Sequence, residues 1–168
     1  MFKKVAFFVV FVLVAVVSVD RSFSRLVITT DDSTPFTFFW KSERQFEKGD
    51  YVMVKGKAGT LAEGKFLTKQ VLCVPGEVLY KKGTSFYCCS DESLGKCEFL
   101  HVAVEKTPKG RKLFPFNPCG GDAYRSSCVV VVPGEKFYLG TGVPSGYDSR
   151  YVGFFKKDEV LTRLEPIF

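Results

Sequence analysis

The 168-residue chain has a formal net charge of +6, with 46% hydrophobic and 25% charged residues, which excludes a disordered polyelectrolyte and suits one packed domain of ordinary size. Eighteen Phe and seven Tyr favour strands over long helices. The basic excess is too modest to require nucleic acid, and no nucleic-acid partner is expected.

Lys3 and Lys4 precede an apolar run from Val5 to Val17, which continues past Ser18 to Val19 and is ended by Asp20 and Arg21. As a helix the run would be about 22 Å long, short of a hydrocarbon core of about 30 Å. Phe2 and snorkelling of the two lysines bring the span close to adequate. The expectation is one N-terminal transmembrane helix over residues 1–20, with the basic end in the cytoplasm. A cleaved signal peptide is the alternative, but Val16-Val17-Ser18-Val19-Asp20 offers no small-x-small cleavage site. Both readings export residues 21–168 as a single domain on the outer face of the inner membrane.

Residues 20–47 form a mixed lead-in with Asp31-Asp32-Ser33-Thr34-Pro35 followed by the aromatic cluster Phe36, Phe38, Phe39 and Trp40. That cluster suits either core packing or contact with lipid or an apolar substrate segment. Strands are predicted over Tyr51–Lys55, over Phe66–Val74 up to the Pro75-Gly76 breaker, and over Val78–Tyr80. Residues 81–128 hold five of the six cysteines among Gly and Pro breakers and read as a disulfide-stapled insertion rather than regular core. Adjacent Cys88 and Cys89 are expected to bond elsewhere than to each other, and short-range pairs Cys89 with Cys97 and Cys119 with Cys128 are expected. Val129–Val132, Glu135–Leu139 and Tyr151–Phe155 complete a mainly β fold. The basic run Lys106 to Lys112 reads as a solvated loop that could also meet anionic headgroups.

His101 is the sole histidine. It has no nucleophile motif nearby, and a structural or surface histidine is expected. Cys88, Cys89, Cys97 and His101 lack metal-site spacing, no phosphate-binding glycine loop is present, and neither metal nor cofactor is expected. A hydrolase without histidine can activate a serine with a neutral lysine whose pKa is lowered from about 10.4 by burial. Lys69, in the run Phe66-Leu67-Thr68-Lys69-Gln70-Val71-Leu72, has neighbours that could desolvate it, although most strand lysines simply face water.

Lys69-Gln70-Val71-Leu72-Cys73-Val74-Pro75-Gly76-Glu77 resembles the catalytic-lysine box of the signal peptidase I family, K-R-V-x-G-x-P-G-D. Asp148-Ser149-Arg150-Tyr151-Val152-Gly153 resembles its closing box, and Gly49-Asp50-Tyr51-Val52-Met53-Val54 is similar to its G-D-x-V-x-V strand. Ser33-Thr34-Pro35 resembles the shortened serine box of the pilin-processing branch found in conjugative plasmids. The boxes stand in family order behind the apolar segment. The resemblance implies a signal-peptidase-like β domain and endopeptidase cleavage after small residues of exported precursors, such as a pre-pilin. It also implies Ser33 as nucleophile and Lys69 as general base. Thirteen residues from Asp20 to Ser33 reach at most about 45 Å, so the serine must work near the bilayer.

Three departures qualify the resemblance. Asp31 stands where the family has an oxyanion-hole hydroxyl, and its carboxylate would repel a developing oxyanion, which leaves the Ser33 N–H as main donor. Gly146 holds the place of the lysine-orienting serine, with Ser145 one residue further off. Gln70, Cys73 and Glu77 replace the common Arg, Gly and Asp. Asp148 and Arg150 are expected to share one strand face and brace the loop beneath the lysine. Two alternatives stay open: a pilin cyclase using the same dyad, and a non-catalytic, disulfide-stapled module of a secretion apparatus.

Overall fold

The computed structural model describes residues 24–30, 34–144 and 146–167. The expected anchor over residues 1–20, and with it Asp31, Ser33 and Ser145, lies outside the described residues. Among those described, no helix is long and apolar enough to cross a membrane.

The mainly β expectation holds. Among the described residues, eleven strands run β1 (Leu26–Ile28), β2 (Phe38–Ser42), β3 (Tyr51–Lys55), β4 (Phe66–Cys73), β5 (Val78–Lys82), β6 (Ser85–Cys89), β7 (Cys97–Val102), β8 (Ser127–Val131), β9 (Lys136–Gly140), β10 (Phe155–Lys156) and β11 (Val160–Pro166). They form a seven-stranded sheet, ordered β1-β2-β11-β3-β4-β9-β10, and a four-stranded sheet, ordered β7-β6-β5-β8. The chain leaves the large sheet after β4 through Pro75-Gly76, where Gly76 takes a positive φ of 87°, and returns before β9 through Pro133-Gly134. The two crossings are stitched together: Gly76 N–H donates to Val132 O and Val132 N–H donates to Glu77 O.

Two apolar clusters arise from strand alternation. One joins the sheets through Cys73, Leu79, Phe86, Cys88, Ala103, Val132 and Tyr138. The other lines the large sheet through Val52, Val54, Val71, Phe137, Leu139 and Phe155. In β2, Phe39 is fully buried while Phe38 and Trp40 on either side are exposed. The aromatic cluster is thus divided by its own alternation between core and surface.

The expected pairs Cys89–Cys97 and Cys119–Cys128 are present, and Cys88 bonds to Cys73 rather than to its neighbour. Two expectations are corrected. Residues 81–128 are not merely irregular, because β6 and β7 lie within them and place Phe86 and His101 in the core. Breaker residues cluster instead between β7 and β8. Tyr151–Phe155 is not a strand: the helical turn α1 (Ser149–Val152) occupies its start, ended at Gly153 with φ of 74°, and only Phe155 continues into β10. Asp148 caps that turn, a local preference that outweighs the β propensity of Tyr and Val.

Candidate active site

Lys69 sits in β4 opposite Val52 of β3 and is only 2% exposed. Alternation turns it toward the side carrying Val52 and Val71, the apolar surroundings the sequence suggested. Burial alone does not single it out. Lys81 in β5 is fully buried too, and burial pushes its ammonium pKa down, opposed by nearby Asp122. Lys81 Nζ lies 3.4 Å from Ser126 O, so it serves the loop before β8.

What distinguishes Lys69 is its place along β4. Strand β3 pairs with residues 66–70 of β4, whereas pairing with β9 starts only at Gln70↔Gly140. Among the described strands, the 66–68 part of β4 pairs with β3 alone. A cavity of about 120 Å³ lies beside it, lined by Val27, Ile28, Thr29 and Thr30 from β1 and the chain after it, and by Met53, Phe66 and Thr68 from β3 and β4. The loop containing Ser33 starts at this cavity. Its ends are pinned where Thr29 N–H donates to Thr37 O at 2.9 Å and Thr29 Oγ1 donates to Phe36 O at 2.8 Å. The cavity meets β4 at Phe66 and Thr68, and Lys69, which alternation turns to the opposite face, is not among its lining residues.

Asp148 and Arg150 are together and fully buried, but not as neighbours on a strand face. Asp148 caps α1 and accepts from the Arg150 backbone N–H at 3.0 Å. The same carboxylate accepts from Arg150 Nε at 2.9 Å and Nη2 at 2.7 Å. The guanidinium also donates to the carbonyls of Val102, Val143, Pro144 and Gly146. Every polar group of this buried pair is thereby engaged, which offsets its desolvation.

Thr141 was not foreseen. Its hydroxyl donates to Asp148 Oδ2 at 3.1 Å and accepts from Arg150 Nη2 at 3.0 Å. A Cβ built on Gly146 would overlap Thr141 Oγ1 and lie 2.9 Å from Arg150 Nη2. Position 146 has no room for the serine that the family pattern leads one to expect there. Nothing in the Gly140-Thr141-Gly142 triplet announces this, because it depends on β9 and the chain before α1 meeting in space. Ser149 was likewise missed; its buried Oγ accepts from Leu139 N–H at 2.9 Å.

His101 is buried, as a structural residue would be, with Nε2 2.9 Å from Tyr138 Oη. Burial lowers its pKa to about 4, with Asp148 pulling upward and Arg150 downward. Cys73, Glu77 and Cys88 offer three clustered donor atoms, but the two sulfurs are bonded to each other. They do not form a metal-binding thiolate pair.

No curated protein matches the chain. Among solved structures, the chain is similar to a signal peptidase I from Enterococcus faecalis V583, with 19% identity, a TM-score of 0.43, and coverage of 74% of this chain and 100% of that one. The family model described as signal peptidase, peptidase S26, matches residues 1–168. With the model spanning every residue, the chain belongs to the signal peptidase S26 family of serine peptidases.

Proposed function

We propose that the protein is a membrane-anchored endopeptidase that cleaves signal segments of exported precursors, specifically a conjugative pilin precursor, with Ser33 as nucleophile and Lys69 as general base. The observation that supports the reading is a lysine, Lys69, buried beside apolar Val52 and Val71 in a chain that belongs to the signal peptidase family. An extended precursor would lie between β1 and the 66–68 part of β4, held by main-chain hydrogen bonds.

In this reading neutral Lys69 takes the Ser33 Oγ proton as the oxygen attacks the scissile carbonyl. The resulting ammonium returns that proton to the leaving amine, and the acyl group stays on Ser33. Lys69 then takes a proton from water, which attacks the ester and frees the enzyme. Asp31 leaves the Ser33 N–H as main oxyanion donor. Asp148 and Arg150, with Ser145 in the loop they clamp, support the lysine without touching substrate. Residues 1–20 would hold the domain at the outer face of the inner membrane, with lipid meeting the exposed Ile28, Phe38 and Trp40.

The test tracks processing of an exported pre-pilin by wild type, Ser33→Ala and Lys69→Met at matched expression. Both variants are expected to leave the precursor uncut while folding normally. Full processing by both would end the dyad assignment and favour the non-catalytic module. Product mass separates trimming from the cyclase alternative, since ring closure leaves the product one water lighter than the linear form.

A further inference from the structure

Between β7 and β8 the chain makes a hairpin that the proposed mechanism does not use. Residues 106–121 carry Lys106, Lys109, Arg111 and Lys112 and no acidic residue. All four cations are exposed, and among the described residues none of them forms an ion pair. Lys106 and Lys112 stand directly opposite each other in an antiparallel bridge, where like charges repel.

The hairpin is held by its own hydrogen bonds. Thr107 N–H donates to Arg111 O at 2.8 Å, Gly110 N–H to Thr107 O at 2.8 Å, and Leu113 N–H to Glu105 O at 2.8 Å. The Thr107 hydroxyl accepts from Arg111 N–H at 3.1 Å, and Gly110 supplies a positive φ of 79° at the tip. Its base is fixed to the core. Ala103 and Leu113 are buried, Val104 N–H donates to Tyr151 Oη at 2.8 Å, and Phe116 N–H donates to Arg150 O at 2.6 Å. A loose basic run would let its charges spread apart in water. This one keeps them close together with no counter-charge.

Phe114, 61% exposed, lies just beyond the hairpin, with Lys112 Nζ 5.0 Å from its ring centre. The cations match phosphate oxygens, and an exposed aromatic ring suits the boundary between headgroups and acyl chains. An acidic peptide would match the charges alone. In the proposed arrangement, residues 1–20 already hold the domain beside a bilayer, so a lipid surface is present at high effective concentration.

We infer that the 105–113 hairpin, together with Phe114, is a docking surface for anionic phospholipid headgroups. This rests on the proposed placement of the domain at the membrane. Each Lys or Arg near an anionic leaflet strengthens attraction about fivefold, and the effect decays within a Debye length. Four cations on one ordered hairpin add together once it reaches the surface. Docking neutralises the repulsion between Lys106 and Lys112 and limits how far the domain swings about its anchor.

The experiment reconstitutes full-length Trp40→Phe, Phe114→Trp protein into vesicles whose acyl chains are brominated. One set contains phosphatidylethanolamine and phosphatidylglycerol, the other phosphatidylcholine alone. Flotation confirms insertion, and circular dichroism checks the fold. The reporter at position 114 should lose at least about half its fluorescence in the anionic vesicles. It should lose less than about a tenth in phosphatidylcholine, or in anionic vesicles at about 1 M NaCl, where the Debye length is about 3 Å. Adding Lys106→Gln, Lys109→Gln, Arg111→Gln and Lys112→Gln should cut the anionic-vesicle quenching at least about threefold. The equal charge change Lys65→Gln, Lys82→Gln, Lys96→Gln and Lys157→Gln should leave it unaltered.

Quenching that ignores lipid charge, or equal loss in both quadruple variants, would overturn headgroup docking. So would an unquenched reporter in floated anionic vesicles; if polyglutamate then shifts its emission, the hairpin is a surface for acidic chains instead. Wild-type Trp40, measured in parallel, separates this inference from the reading beneath it. Quenched Trp40 with an unquenched reporter sinks the hairpin inference alone. A chain that fails to float with vesicles of either kind sinks the membrane placement and the inference together.

Discussion

Buried cations in this protein are handled in two ways. Arg150 is surrounded by a carboxylate and carbonyls that meet each of its donors, so its charge is neutralised where it stands. Lys69 is buried beside the apolar side chains of Val52 and Val71. His101 shares the second pattern and yields a prediction. Its pKa is about 4 in the fold against an ordinary 6.5, so the unfolded chain binds the proton more tightly. Stability is then fully present above about pH 6.5 and falls as pH drops toward 4. The total loss is about 3 kcal/mol at about 1.4 kcal/mol per pH unit. Urea unfolding at pH 7 and pH 4.5 should show this loss in wild type and a shallower dependence in His101→Gln; equal slopes would remove His101 as its source. A structural or surface place for His101 was legible in the sequence from the lack of a nearby nucleophile; its burial was not. Its partner Tyr138 was not, because 37 positions separate them and only sheet packing brings them together.

At the scale of elements, β1 and β2 present one apolar side outward. Leu26 pairs with Trp40 and Ile28 with Phe38, and Ile28, Phe38 and Trp40 are respectively 55%, 37% and 41% exposed. The apolar run ends at Val19, and six residues from Asp20 to Leu26 reach at most about 22 Å. In the proposed arrangement this side rests on the bilayer. Trp40 is the only tryptophan, so its fluorescence reports on this face alone. In vesicles of phosphatidylethanolamine and phosphatidylglycerol, brominated acyl chains should quench Trp40 strongly, and quenching should vanish from a Trp40→Phe, Phe99→Trp protein whose reporter sits on β7. Unquenched Trp40 would place this face in water. The strands that the sequence marked best were those with alternation and a Pro-Gly stop, β3, β4 and β5. Strands β1 and β2 hid in the lead-in because their exposed aromatics blur the alternation. Strand β10 and the turn α1 were misread as one strand because Asp148 capping overrides the β-prone residues after it.

At the scale of the whole molecule, the chain closes its large sheet with its last strand. β11 lies between β2 and β3, joining Arg163 to Ser42 on one side and Val52 on the other. Removing residues 160–168 should therefore separate the β1–β2 hairpin, with the serine loop, from the strands that hold Lys69. The truncated chain is expected to lose protease resistance and processing together; a truncated chain that stays compact and active would show that β2 can pair with β3 directly.

The sequence by itself determined the mainly β class and the family through ordered boxes, and it offered Ser33 and Lys69 as candidates and two short-range cysteine pairings that the fold then formed. These are local: strand alternation, turn residues and motif spacing are written within a few residues of one another. Only the tertiary structure decided that Cys73 meets Cys88 across two sheets, that Thr141 fills the space beside Gly146, and that Lys69 is buried in β4 opposite Val52. Each of those depends on strand register between distant segments, which is set by packing of the whole core rather than by any one segment's residues.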